Sequence, residues 1–180
     1  MRTPWKKLDA RLVSKHRIFD LYNERFVSPR TGHEVDAVVL QAGDWVNVIA
    51  RTADGACVMI RQFRYGNERE TLEIPGGMID PGEAPLTAAK RELREETGYV
   101  AERWSALGSS APNPAFQRNR LYTFLAEDAV YEGEQEQDSE EDIAVELMSE
   151  AEVEQCIASG ELDHALVVVA FHKLALFRSR

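Results

Sequence analysis

The 180 residues predict an α/β fold in which a mixed sheet is covered by helices. Three observations carry this. The first half of the chain is a series of short alternating segments broken by turn signals. A helical stretch bounded by Pro85 and Gly98 then interrupts the strands. After further strands, two more helical stretches close the chain.

Leu8–Ser14, Asp20–Val27 and Glu34–Leu40 read as strands, with Pro29-Arg30-Thr31-Gly32 as the clearest hairpin turn. Trp45–Arg51 and Cys57–Phe63 form a second hairpin around Ala53-Asp54-Gly55. Thr71–Ile74 is a short strand that stops at Pro75-Gly76-Gly77. Leu86 to Thr97 is a helix: Pro85 suits its first turn and Gly98 its stop, with Leu86, Ala89 and Leu93 as the apolar stripe. Strands near Trp104–Ser109, Leu121–Leu125 and Ile143–Met148 follow, and then helices over Glu150–Ile157 and Ala165–Phe177.

Composition narrows the function. Hydrophobic residues make up 44% of the chain, enough for a real core, yet no run approaches the roughly 18 apolar residues that span a bilayer. Met1–Ala10 is charged and lacks an apolar signal core, so a soluble cytoplasmic protein is expected. Cys57 and Cys156 lack metal-ligand spacing and are expected as lone thiols, although a bridge stays open. The net charge is −10, and it is unevenly placed. Between Glu127 and Glu154 lie thirteen acids and no Lys or Arg; the rest carries 18 acids against 21 bases. An acidic chain is a poor non-specific nucleic-acid binder, so neither nucleic acid nor membrane is expected as a partner. Most of the acidic segment reads as a solvated loop.

The chemistry lies in GGMIDPGEAPLTAAKRELREETGY, residues 76–99. Glu92, Glu95 and Glu96 stand at i, i+3 and i+4 and so share one helical face. Three carboxylates on one face repel each other, and a divalent cation removes that penalty. A hard cation such as Mg²⁺ prefers oxygen ligands and also takes up substrate phosphates. A solvated helix laced with salt bridges, using Arg91 and Arg94, is the bland alternative. Spacing back to Glu83 and Gly77 decides between them. The pattern G-x5-E-x7-R-E-L-x-E-E-x-G is matched at every fixed position.

This pattern resembles the Nudix box, and the strand order around it is similar to the Nudix α/β/α sandwich. The resemblance implies metal-dependent hydrolysis of a diphosphate linkage, using two or three ions of Mg²⁺ or Mn²⁺. It makes Glu92 and Glu96 the principal metal-binding and catalytic carboxylates, with Glu95 assisting and the Gly76 carbonyl completing the site. Glu83 would support or orient, and Arg91 would fix the glutamates. A Nudix chain that has become a nucleotide sensor often loses box carboxylates; here all are present.

Substrate class rests on features outside the box. Arg61-Gln62-Phe63-Arg64 followed by Glu73-Ile74-Pro75-Gly76-Gly77 resembles the arrangement in ADP-ribose pyrophosphatases. By that resemblance Arg64 binds a substrate phosphate and Glu73 lies near the metals or substrate; the alternative is that Arg61 and Arg64 cap a strand end. Pro114, fifteen residues past Tyr99, matches a substrate-side proline of that group, but its neighbours Ala111-Pro112-Asn113 depart from the usual Ser-Pro-Gly. The departure widens the expected range to nucleoside diphosphate sugars such as ADP-ribose, ADP-glucose and GDP-mannose. Dinucleoside polyphosphates, nucleoside triphosphates and capped RNA are the alternatives. The general base is expected at Glu141 or Glu140, from a loop with little to fold it. Residues 1–42 are expected to form a small antiparallel sheet that dimerises the protein, and 43–180 the hydrolase domain.

Overall fold

A computed structural model describes residues 3–137 and 142–179. The elements in chain order are β1 (Lys6–Lys15), β2 (Phe19–Val27), β3 (Glu34–Ala42), β4 (Trp45–Thr52), β5 (Cys57–Arg64), β6 (Arg69–Glu73), α1 (Pro85–Thr97), β7 (Tyr99–Val100), β8 (Arg103–Ser110), β9 (Gln117–Arg118), β10 (Leu121–Tyr131), β11 (Ile143–Met148), α2 (Glu150–Ser159) and α3 (Ala165–Arg178). The α/β expectation holds, with two sheets and three helices among the described residues. The chain divides into two compact units, Met1–Asp44 with Ala111–Arg120, and Trp45–Ser110 with Leu121–Arg180.

The first unit is a four-stranded sheet in the order β1-β2-β3-β9. β1, β2 and β3 pair antiparallel, as expected; β9 adds a short parallel partner to β3 that the sequence does not announce. Gly32 makes the β2–β3 turn with φ 72°, a left-handed conformation that a Cβ disfavours. Glu24 is buried in β2, where Arg118 donates to both of its oxygens, at 3.1 and 2.7 Å, and Lys7 approaches to 3.3 Å. This ion pair fastens the 111–120 segment to the sheet.

The second unit is built on a seven-stranded mixed sheet with the path β11-β5-β4-β10-β7; β6 pairs with β5 and β8 with β10. β10 and β4 run parallel. Strand alternation divides the core between two faces. Val46, Val48 and Ala50 of β4 pack with Ala88, Ala89 and Leu93 of α1. Ile49 packs on the other side with Val153 and Cys156 of α2 and Val167, Ala170 and Leu174 of α3. Cys57 and Cys156 are both free and buried. Among the described residues no helix is long and apolar enough to cross a membrane.

Two details differ from the sequence reading. Leu86 is exposed at the first turn of α1, and Ala88 takes its place in the buried stripe. β10 runs on to Tyr131 through a bulge between Ala126 and Ala129, with Asp128 at φ 55°. Glu127-Asp128 reads as the start of a loop because a bulge breaks the two-residue alternation.

Candidate active site

The stripe that docks α1 on the sheet also determines what its carboxylates face. Glu92 and Glu96, one turn apart, are only 8% and 4% exposed, and Glu95 is half-buried. Opposite them runs the extended segment Pro75–Gly77. The carbonyls of Pro75 and Gly77 accept from Val48 at 2.8 Å and from Val46 at 2.9 Å, so both point at β4. Gly76 between them must face the other way. Its N–H donates to Glu96 Oε2 at 2.8 Å. Both glycines are required by close approach. A Cβ on Gly76 would lie 2.3 Å from the Val46 carbonyl oxygen, and one on Gly77 only 2.5 Å from Glu92 Oε1.

Arg91 is seated among the box carboxylates. Its Nη1 donates to Glu92 Oε1 at 2.9 Å and to Glu95 Oε2 at 3.0 Å, while Nε and Nη2 grip Glu83 at 3.1 and 2.9 Å. Nη2 also donates to the Met78 carbonyl at 3.0 Å. The Glu83 bond above all, with Glu92 and Glu95, raises the Arg91 pKa. Glu83 is in turn held below the usual carboxylate range by Arg91. The repulsion that the sequence poses on this helix face is therefore answered within the chain by one guanidinium.

Arg64, the last residue of β5, and Glu73, the last of β6, form a second ionic unit through the arginine's long side chain. Arg64 donates from Nε and Nη2 to the two oxygens of Glu73, both at 2.7 Å, a fork that suits a planar guanidinium. Thr71 Oγ1 donates to Glu73 Oε1 at 2.6 Å, and His164 Nε2 stands 3.9 Å from Oε2. Burial pushes the Glu73 carboxyl up, but Arg64 and Thr71 together bring it below its ordinary value. The charge on Glu96 also acts on Arg64. Arg61, by contrast, pairs with Glu146 and Glu161, a link between β11 and the α2–α3 loop.

The other expected residues are placed less completely. Pro114 lies in the first unit, lining a groove of about 540 Å³ with Phe26, Phe116, Gln41, Arg118 and Asn119. Glu140 and Glu141 lie outside the described residues. The acidic stretch leading to them is more tied down than its composition suggests. Glu132 N–H donates to the Gly98 carbonyl at 2.9 Å and Glu136 N–H to the Glu95 carbonyl at 2.8 Å, and Arg94 pairs with the Glu136 side chain at 2.8 Å. Sequence reasoning missed Thr71, although strand alternation places it on the same face as Glu73, and missed His164, which no spacing rule links to it.

The donor set fits a hard divalent cation. Glu92, Glu95, Glu96 and the Gly76 carbonyl offer only oxygen, and a Cβ would fill the cradle at Gly76 and Gly77. Glu83, Glu92 and Glu95 share the guanidinium of Arg91, and Glu73 has that of Arg64 with His164 beside it. Among the described residues no three acidic, imidazole or thiol side chains converge on a single cation position, since Arg91 is interleaved with them.

Comparison with known proteins finds relatives of this chain. The NUDIX domain family matches residues 41–167. An ADP-ribose pyrophosphatase of Bacillus subtilis (strain 168) is 33% identical over 177 residues, 95% of each chain. An ADP-ribose pyrophosphatase of Mycobacterium tuberculosis is 30% identical over 153 residues, covering 84% of this chain and 73% of that protein. A crystal structure described as an ADP compounds hydrolase superposes with a TM-score of 0.84 at 21% identity, covering 97% of this chain and 94% of its own; it bears on the fold alone.

Proposed function

This chain belongs to the Nudix family, and on that premise we propose that it hydrolyses the diphosphate bond of nucleoside diphosphate sugars of the ADP-ribose type. It is a hydrolase of phosphoric anhydrides. The products are a nucleoside monophosphate and a sugar phosphate. The observation that carries the reading is the all-oxygen carboxylate face of α1 set close to the Arg64–Glu73 fork. The ADP-ribose pyrophosphatases that align along most of their length support the substrate class.

Each group then has a task. Glu92, Glu96, Glu95 and the Gly76 carbonyl hold Mg²⁺ or Mn²⁺, two or three ions. Metal held there would supply positive charge against the diphosphate and lower the pKa of a bound water. Arg64 binds a phosphate, and Glu73 fixes its guanidinium plane so that the remaining N–H groups are presented in one orientation. Arg91 is a positioning residue that aligns Glu92 and Glu95. Glu141 or Glu140 takes the proton from water. Pro114 binds substrate, as the sequence resemblance implies. Residues 1–42 serve dimerisation and 43–180 hydrolysis. Leu8, Leu12, Val13, Val35 and Val38 are exposed apolar side chains of that N-terminal sheet, and a second copy would cover them.

Phosphatase-coupled phosphate release with Mg²⁺ and ADP-ribose, ADP-glucose, GDP-mannose or UDP-glucose tests the reading. Turnover of at least one of them, abolished by chelation, is expected. Turnover confined to dinucleoside polyphosphates, nucleoside triphosphates or capped RNA would move the substrate class, and no turnover of any anhydride would overturn catalysis.

A further inference from the structure

β11 is the edge strand of the large sheet, paired on one side with β5. An edge leaves outward-facing N–H and carbonyl groups that need other partners. At Ile143, the first residue of β11, both groups are taken by amide side chains. Ile143 N–H donates to Gln137 Oε1 at 3.1 Å, and Gln137 Nε2 donates back to the Ile143 carbonyl at 2.8 Å. One side-chain amide thus imitates the backbone of a neighbouring strand. Gln135 Nε2 donates to the same carbonyl at 3.0 Å and also to the backbone carbonyl of Glu96.

That last bond joins the edge strand to α1. The final carbonyls of a helix have no partner within it. Here Gly98 N–H caps Arg94, Glu136 N–H caps Glu95, and the Gln135 amide caps Glu96. Glu95 and Glu96 therefore have their backbone carbonyls held by Glu136 and Gln135. Gln137 and Ile143 are at the same time pinned to one another, and Glu140 and Glu141 lie between them in the sequence.

We infer that Gln135 and Gln137 are positioning residues for hydrolysis. They clamp the start of β11 to the end of α1 and so fix the helix end that carries Glu96. The inference rests on the proposed function for its catalytic consequence, and on the hydrogen bonds alone for the clamp itself. Neither glutamine touches substrate. Their loss acts through the alignment of other groups, and an error of about 1 Å in such alignment costs on the order of a hundredfold in rate. The effect belongs to kcat rather than KM, because Arg64 and Glu73 stand on β5 and β6, outside the clamp.

The experiment uses Gln135→Met and Gln137→Met in the full chain, which keep side-chain length and remove the amide. Steady-state kinetics with ADP-ribose are read beside backbone amide hydrogen exchange at Ile143. For Gln137→Met, exchange at Ile143 should quicken at least about tenfold, since its N–H loses its acceptor. For both variants kcat should fall at least about tenfold, with KM within about threefold of wild type. Wild-type exchange in Gln137→Met would overturn the clamp. Faster exchange with unchanged kcat in both variants would overturn the positioning role. If Gln137→Met does not fold, Gln135→Met decides, because it leaves both Gln137–Ile143 bonds in place. A wild type inert toward every nucleoside diphosphate sugar would overturn the proposed function and leave exchange at Ile143 to decide the clamp.

Discussion

Gly76 and Gly77 are adjacent, yet adding one methyl group to each should break different things. On Gly77 the new Cβ would meet Glu92 Oε1 at 2.5 Å, with Cδ and Oε2 at 2.6 Å. Ordinary contact begins at 3.4 Å, so the carboxylate must retreat by about 0.9 Å. It is the end of a flexible side chain, so it can move without disturbing the fold. Its retreat carries it out of line with the Arg91 guanidinium that holds it, and a displacement of that size costs on the order of a hundredfold in rate. On Gly76 the Cβ would meet the Val46 carbonyl oxygen at 2.3 Å and Asn47 Cα at 2.8 Å. Those are backbone atoms of β4 in the centre of the sheet, so relief requires strand movement, costing about 1–3 kcal/mol or more. The assay measures kcat with ADP-ribose at saturating Mg²⁺ and the thermal midpoint of both variants. Gly77→Ala should keep the wild-type midpoint within a few degrees and lose about a hundredfold in kcat. Gly76→Ala should lower the midpoint by several degrees. A Gly77→Ala enzyme within about threefold of wild-type kcat would refute the placement of Glu92 in the catalytic machinery.

Glu92→Gln and Glu96→Gln should each cut kcat by at least about a hundredfold in saturating Mg²⁺, the scale of losing a preorganised electrostatic group; rates within tenfold would remove them from the metal site. Glu141→Gln or Glu140→Gln should lower kcat far more than KM, whereas Glu134→Gln should do little; near-normal kcat in both would place the base elsewhere. Arg118→Met leaves Glu24 buried with Lys7 alone and should cost about 1–2 kcal/mol at neutral pH in denaturant unfolding. Arg118 holds the Glu24 carboxyl below its ordinary 4.5, so this stabilisation is present above about pH 4.5 and lost as pH falls further; a gap between wild type and variant that widens in acid would contradict the assignment. Light scattering should show a homodimer at micromolar concentration, and a fully active monomer would exclude the N-terminal sheet as a required interface.

What could be read from the sequence was what the chain encodes locally. The face of α1 is legible because Glu92, Glu95 and Glu96 follow from the helical repeat, and its ends from Pro85 and Gly98. Strand alternation likewise revealed most of both sheets. Gly76 and Gly77 came from the resemblance, and only coordinates show what a Cβ there would strike. Long-range pairings are another matter. Glu24 and Arg118 are 94 positions apart, and a glutamate inside a strand reads as an exposed residue until its partner is known. β9 has two residues and no pattern of its own. Gln135 and Gln137 were hidden by their neighbours: amid so many carboxylates the segment reads as solvated, yet its amides and backbone N–H groups reach the carbonyls of α1 and β11. Leu86 has the right spacing for burial but sits in the first turn of the helix, ahead of the buried residues.

Arg91 has a consequence for how such a protein behaves in the hand. In small zinc domains the metal is part of the folding free energy, and stripping it unfolds the chain. Here a guanidinium already bridges Glu83, Glu92 and Glu95, so the carboxylate-rich helix does not wait for an ion before it can form. Folding and activation are thereby uncoupled. If turnover needs Mg²⁺ as proposed, a chelator should silence the enzyme while its circular dichroism stays native, and returning Mg²⁺ should restore turnover without refolding. On that reading the chain keeps its fold when starved of metal, and its activity should follow the supply of free divalent ion.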